Sequence, residues 1–170
     1  MNMQHLAYIG LGSNLEAPDR QVCLAFAALA ASPDMELVAR SSLYLTAPIG
    51  DPHQPDFVNA VAQVRTPLAP HDLLDLLLAI ERGQGRVRGR ANASRTLDLD
   101  ILLYDDLSHA DPKLHVPHPR AHQRAFVLYP LLEIAPDCVI PGRGLARDWL
   151  PAVDDQIIAR LPYPSRADEC

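Results

Sequence analysis

The chain has 170 residues, 48% of them hydrophobic and 21% charged, with a formal net charge of −6. This fits one soluble domain, residues 1–170, with a sizeable core, and the acidity argues against bulk attraction to nucleic acid. No apolar run reaches the length of a membrane span, the opening Met-Asn-Met-Gln-His lacks the segments of a signal peptide, and the scattered Cys23, Cys138 and Cys170 read as reduced thiols of a cytoplasmic protein.

In chain order, Leu6–Leu11 is a short apolar strand that ends in the turn Gly10-Leu-Gly12-Ser-Asn14. Pro18–Ala31 reads as a helix with proline in its first turn, and Ser32-Pro33 closes it. Glu36–Leu45 alternates weakly, as a strand does, and Ala47–Pro55 is a proline-rich loop. Phe57–Val64 is the next strand, and Pro70–Arg82 is a helix whose Leu73, Leu74, Leu77, Leu78 and Ile80 form an apolar face. Arg86–Ser94 is expected to be a mobile loop, followed by a strand over Thr96–Tyr104. Pro117–Leu132 predicts two short helical pieces around Pro119 and Pro130, and Arg147–Val153 a further short helix. The tail, residues 162–170, is expected to be exposed and mobile. Strands alternating with helices imply an α/β or α+β layered sheet.

Arg95-Thr-Leu-Asp98-Leu-Asp100-Ile101 carries the most chemistry. On a strand, Asp98 and Asp100 point the same way, about 6–7 Å apart. A cation relieves their repulsion, and Mg²⁺ suits one or two carboxylates that act together with substrate phosphates. The competing reading is two solvated aspartates on a half-exposed strand. Arg82, Arg86, Arg88, Arg90 and Arg95 form a basic island without acids. They read either as a polyphosphate clamp or as a solvated loop. No aromatic lies among them to stack on bases, which weakens a nucleic-acid reading. Gly10-x-Gly12 lacks the third glycine of a dinucleotide loop and reads as close backbone packing. Glu81, on the edge of the helix's apolar face, either caps a nucleotide hydroxyl or pairs with an arginine. His115, His118 and His122 do not form a zinc set, because Pro117 and Pro119 keep them off one helix face. His118 and Arg124 can donate to phosphate oxygens instead. Phe57 and Asn59 share a strand face, and with Phe126 they suit a flat heterocycle, although both rings also suit a core.

Together these pieces resemble the 6-hydroxymethyl-7,8-dihydropterin pyrophosphokinase family. The matching residues are Tyr8-Ile-Gly-Leu-Gly-Ser-Asn-Leu15, Ser41-Ser-Leu-Tyr44, Gln54-Pro-Asp-Phe-Val-Asn-Ala60, Glu81 and Gly85-Arg-Val-Arg88. They continue through Arg95-Thr-Leu-Asp-Leu-Asp-Ile-Leu102, Val116-Pro-His118, Arg124-x-Phe126 and Pro130-Leu-x-Glu-Ile-Ala-Pro136. The resemblance implies a ferredoxin-like sandwich, with a mainly antiparallel central sheet and helices on both faces. It implies transfer of the β,γ-diphosphate of ATP to the pterin hydroxymethyl, with release of AMP, by a cytoplasmic monomer of folate biosynthesis. Asp98 and Asp100 would hold two Mg²⁺ ions. Phe57 and Phe126 would sandwich the pterin beside Gly12, Asn59 would hydrogen-bond its edge, and the backbone of Thr46, Ala47, Pro48 and Ile49 would read the rest. Arg86, Arg88, Arg95, His118 and Arg124 would bind phosphates, the first two from a closing loop. Glu81, Ile101 and Lys113 would lie near the nucleoside, with His115 in the same ATP-binding set. Ala93-Ser94 stands where the family has Gly-Pro, and the arginine loop lacks a tryptophan often found there. A same-fold paralogue that binds pterin or nucleotide with little transfer is the alternative, and a Mg²⁺-dependent phosphohydrolase or nuclease is a third reading.

Overall fold

The computed structural model describes residues 4–15, 17–48, 53–84 and 97–162. The run His5–Ser13 forms strand β1 at the centre of the main sheet. It pairs along its whole length with β4 (Phe57–Thr66), and on its other side with β5 (Asp98–Tyr104). Both sets of backbone groups of β1 are thereby satisfied by neighbours, which lets so apolar a strand lie fully inside the sheet. β3 (Tyr44–Thr46) continues the sheet beyond β4, and β10 (Ile158–Arg160) forms its edge, giving the order β10-β3-β4-β1-β5. β2 (Glu36–Arg40) pairs with the other half of β4. Every pairing in this sheet is antiparallel.

The single strand expected over Glu36–Leu45 is two strands. Ser41 marks the break: its N–H donates to Val61 O and its Oγ accepts from Val61 N–H, both at 2.9 Å. A side-chain hydroxyl therefore replaces one rung of the ladder, and the chain resumes as β3. β1 in turn runs through Gly10 and Gly12 to Ser13, where the sequence suggested a turn. The glycines lie within the strand because neighbouring chains, not local propensity, hold them there.

Two helices, α1 (Pro18–Ala31) and α2 (Pro70–Gly83), each open with proline, whose missing N–H costs nothing in a first turn. Val22, Phe26, Leu29, Leu73 and Leu77 bury against Ile9, Leu11, Leu99 and Ile101 on one face of the sheet. On the opposite face, Leu128 and Leu131 of α3 (Ala125–Ile134) pack with Val61, Leu102 and Leu103. A register shift opposite Tyr8–Ile9 gives β5 one extra residue, so Leu102 and its neighbour Leu103 both reach this second core. The architecture is therefore a mixed α/β sandwich with helices on both sheet faces.

The Pro117–Leu132 segment forms a single 3₁₀ turn at Ala121–Gln123 and then α3, which accommodates Pro130 internally. The later short helix is 3₁₀ and spans Ala146–Val153. Two small hairpins complete the described chain, β6 (His109–Ala110) with β7 (His115–Val116) and β8 (Val139–Ile140) with β9 (Gly144–Leu145). Cys138 is a free thiol, and Cys170 lies outside the described residues.

Candidate functional site

The alternation that sends Leu99 and Ile101 into the α1/α2 core turns Asp98 and Asp100 to the other face of β5. Their cross-strand partners on β1 are Gly12 and Gly10. Glycines opposite carboxylates leave room above the sheet, and a cavity of about 200 Å³ opens there, lined by both aspartates and both glycines. Gly12 is required for a further reason: a Cβ on it would stand 2.7 Å from Asn59 Oδ1. Asn59 is buried at 7% exposure, and its Nδ2 donates to Thr46 Oγ1 at 2.8 Å, which fixes the amide orientation. Thr46, Ala47, Phe57 and Phe126 line the same cavity.

The cationic wall comes from the segment between β7 and α3. His118 N–H donates to Leu102 O at 2.9 Å, docking the segment beside β5. The Arg120 N–H donates to His118 Nδ1 at 3.2 Å, so a neutral imidazole carries its hydrogen on Nε2. Burial, with the nearby Arg124 guanidinium second, pushes His118 down to about 4, so the ring is neutral at physiological pH. Arg124 begins α3, where its carbonyl accepts from Val127 and Leu128 N–H. Its guanidinium lies over the Phe126 ring, 5.2 Å from the centroid. Burial and Arg120 lower its pKa, while Asp100 and Asp98 pull it back up. His118 and Arg124 both line the cavity.

The other expected residues lie elsewhere. Ile101 is 4% exposed, in the core on the opposite face of the sheet. Glu81, at 2% exposure, accepts from Leu99 N–H at 2.8 Å. It thus grips the strand between the two aspartates from behind. Pro48 lines a neighbouring pocket together with Thr46, Ala47 and Phe126. His115 lines a separate open cavity of about 500 Å³ that shares His118, and Lys113 lies exposed in the β6–β7 turn. Ile49, Arg86, Arg88 and Arg95 lie outside the described residues, as do residues 163–170 of the tail. Gly10 and Leu102 also line the cavity; the sequence marked Gly10 for close backbone packing and neither residue for the site. The signal for Gly10 was present, since it alternates with Gly12 on a strand.

Chemically, the cavity joins two carboxylates, a neutral imidazole donor and a guanidinium to two aromatic rings and a fixed amide. The carboxylate pair suits a hard divalent cation, the cationic wall suits phosphate oxygens, and the rings with the amide suit a flat polar heterocycle.

The comparisons with known proteins agree. The family model for 7,8-dihydro-6-hydroxymethylpterin-pyrophosphokinase (HPPK) matches residues 8–136. A Pseudomonas aeruginosa protein named 2-amino-4-hydroxy-6-hydroxymethyldihydropteridine pyrophosphokinase is 48% identical over 155 residues, covering 91% of this chain and 96% of its own length. A Haemophilus influenzae protein of the same name is 44% identical, covering 91% of this chain and 97% of its own length. Among solved structures, a Plasmodium falciparum HPPK-DHPS variant with pterin and p-hydrobenzoate superposes with a TM-score of 0.70 over 94% of this chain, at 14% identity. The chain spans 48% of that solved chain, and the likeness at this identity is one of fold alone. On the family match and the two bacterial relatives, the chain belongs to the 7,8-dihydro-6-hydroxymethylpterin-pyrophosphokinase family.

Proposed function

We propose that this chain transfers the β,γ-diphosphate of ATP to the hydroxymethyl group of 6-hydroxymethyl-7,8-dihydropterin. The pterin hydroxyl oxygen attacks the β-phosphorus, the bond from that phosphorus to the bridging oxygen of AMP breaks, AMP departs, and the hydroxyl proton is lost to solvent. The observation that carries this reading is one cavity lined at once by Asp98, Asp100, His118, Arg124, Phe57, Phe126 and Asn59.

In this reading Phe57 and Phe126 flank the pterin ring. Asn59, held by Thr46, offers its carbonyl oxygen and its second amide hydrogen to the ring edge. His118 Nε2–H and the Arg124 guanidinium donate to phosphate oxygens. Transfer of this kind needs positioning and charge neutralisation more than covalent help. Asp98 and Asp100 fit two Mg²⁺ ions, since both carboxylates line the cavity from the same strand face, opposite the His118–Arg124 wall. Bound there, Mg²⁺ would offset the charge of the polyphosphate. Arg86, Arg88 and Arg95 complete the phosphate-binding set, and Glu81 supports the aspartate strand from behind. The enzyme acts as a one-domain cytoplasmic monomer. No helix among the described residues is long and apolar enough to cross a membrane.

The test is AMP release from ATP and MgCl₂ with and without 6-hydroxymethyl-7,8-dihydropterin. Pterin-dependent AMP is the expected result. Tight pterin binding without AMP would replace the enzyme by a binding paralogue, and AMP or phosphate release that ignores the pterin would replace it by a hydrolase. Asp98→Asn and Asp100→Asn should each lower kcat/KM by at least about 10²-fold while the far-UV circular dichroism is unchanged. Ordinary turnover by either variant would remove the carboxylates from the mechanism.

A further inference from the structure

Away from the cavity, His71, His109 and Asp111 bring three metal-ligating atoms within 4.8 Å of one another. His71 stands in the first turn of α2, while His109 and Asp111 belong to β6 and the turn that follows it. The two histidine Nε2 atoms lie 2.6 Å and 2.7 Å from the same oxygen, Asp111 Oδ2. The other oxygen, Oδ1, accepts from the backbone N–H groups of Lys113 and Leu114, both at 2.8 Å. These hydrogen bonds fix the carboxylate plane and aim Oδ2 at the two rings. The rings meet edge to face, with centroids 5.5 Å apart.

From this arrangement the geometry points to a Zn²⁺ site made by His71 Nε2, His109 Nε2 and Asp111 Oδ2. Two imidazoles and one carboxylate form a donor set for Zn²⁺ and its borderline neighbours, whereas Mg²⁺ takes oxygen ligands. Each ring would ligate through Nε2 and keep its hydrogen on Nδ1, so two neutral histidines and one carboxylate leave a single positive charge at the ion. Tetrahedral ligands with bonds of about 2.0–2.1 Å stand roughly 3.3 Å apart. The nitrogens must therefore withdraw from Oδ2 by about 0.6 Å. The side chains of His71 and His109 are 46% and 39% exposed, so ring rotation supplies that movement without disturbing the core. Oδ1 needs no change, because its two backbone donors already orient the carboxylate as outer partners of a metal ligand do. A fourth position faces solvent. The ion would clip the start of α2 to the β6–β7 hairpin, two elements joined in sequence only through β5.

The site is independent of the proposed transfer activity, and it is tested without it. The full chain, carrying no histidine tag, is titrated with Zn²⁺ against a chromophoric chelator in the presence of excess Mg²⁺. The Mg²⁺ competes for carboxylates but not for imidazoles. One Zn²⁺ per wild-type chain is expected, with a rise in Tm because the ion binds the folded chain. His71→Ala, at an exposed position, and His109→Ala, at a half-buried one, should weaken that binding by about tenfold or more and abolish the rise. Circular dichroism confirms that each variant folds, and Asp111→Asn, which keeps an oxygen for the turn N–H groups, provides a third arm with the same expected loss. Equal binding by wild type and variants, or none by the wild type, would overturn the site and leave Asp111 as a hydrogen-bond acceptor for the hairpin alone.

Discussion

Gly12 illustrates how a residue without a side chain can define a site. Its Cα sits opposite Asp98 on one neighbour and Asn59 on the other. A methyl group there would press on Asn59 Oδ1 and turn the amide away from Thr46. Gly12→Ala should therefore raise KM for the pterin several-fold and leave KM for ATP near its wild-type value, as read from initial rates of AMP release. Equal changes in both constants would mean that the strand itself, not the amide, had moved. His118 makes a different prediction. Its folded-state pKa is depressed from 6.5 to about 4, chiefly by burial. The unfolded chain thus binds a proton that the folded chain refuses. Stability from this group is complete above about 6.5 and is lost progressively as pH falls toward 4. In His118→Gln this part of the acid sensitivity should vanish, so urea midpoints of wild type and variant should converge differently at pH 4 than at pH 7. Parallel midpoints across that range would show that His118 is not buried neutral. At this scale the sequence was informative wherever strand alternation applied, as for Asp98 with Asp100 and Phe57 with Asn59. It said nothing of the Leu99 N–H that donates to Glu81, a backbone group invisible to any side-chain pattern.

That contact belongs to the scale of elements, because it joins the last turn of α2 to the first residues of β5. A buried backbone N–H left without an acceptor costs about 1–3 kcal/mol. Glu81→Ala should cost that much in urea-monitored stability and also lower kcat, since the freed strand no longer holds Asp98 and Asp100 in register. Glu81→Gln keeps an acceptor oxygen and should recover most of the stability. A Glu81→Ala variant as stable as wild type would mean that the strand needs no such grip. The elements were legible to uneven depths. α1 and α2 announced themselves by an apolar face and an opening proline. The split of Glu36–Leu45 into β2 and β3 did not, because it depends on Ser41 reaching Val61 across the sheet. Nor did the extension of β1 through its glycines, where pairing on both sides overrides propensity.

For the whole molecule, alternation of strands and helices indicated a layered sheet, but the order β10-β3-β4-β1-β5 rests on contacts between segments far apart in the chain. One such contact joins two elements that carry cavity-lining residues. The Glu133 carboxylate, on α3, accepts from Ser42 N–H, Ser42 Oγ and Tyr44 OH, and meets Arg160 Nη2 at 3.4 Å. A single side chain thus ties α3 to β3 and to the edge strand β10. The cavity depends on that tie, because Thr46 and Ala47 lie at the end of β3 while Phe126 belongs to α3. Burial alone would push the Glu133 carboxyl up, but the hydrogen bonds from Tyr44 and Ser42, with Arg160, outweigh it and hold the pKa below the usual value. Its stabilising effect is therefore present above the ordinary carboxylate range and is lost as pH falls through the lowered folded value. Glu133→Ala should remove that acid-sensitive part and cost about 1.5–3 kcal/mol at neutral pH, as charge-assisted hydrogen bonds do. Under the proposed function it should also loosen the wall that carries Phe126, raising KM for the pterin more than KM for ATP. Loss of stability without that asymmetry would separate the tie from the pterin site and assign Glu133 to the sandwich alone.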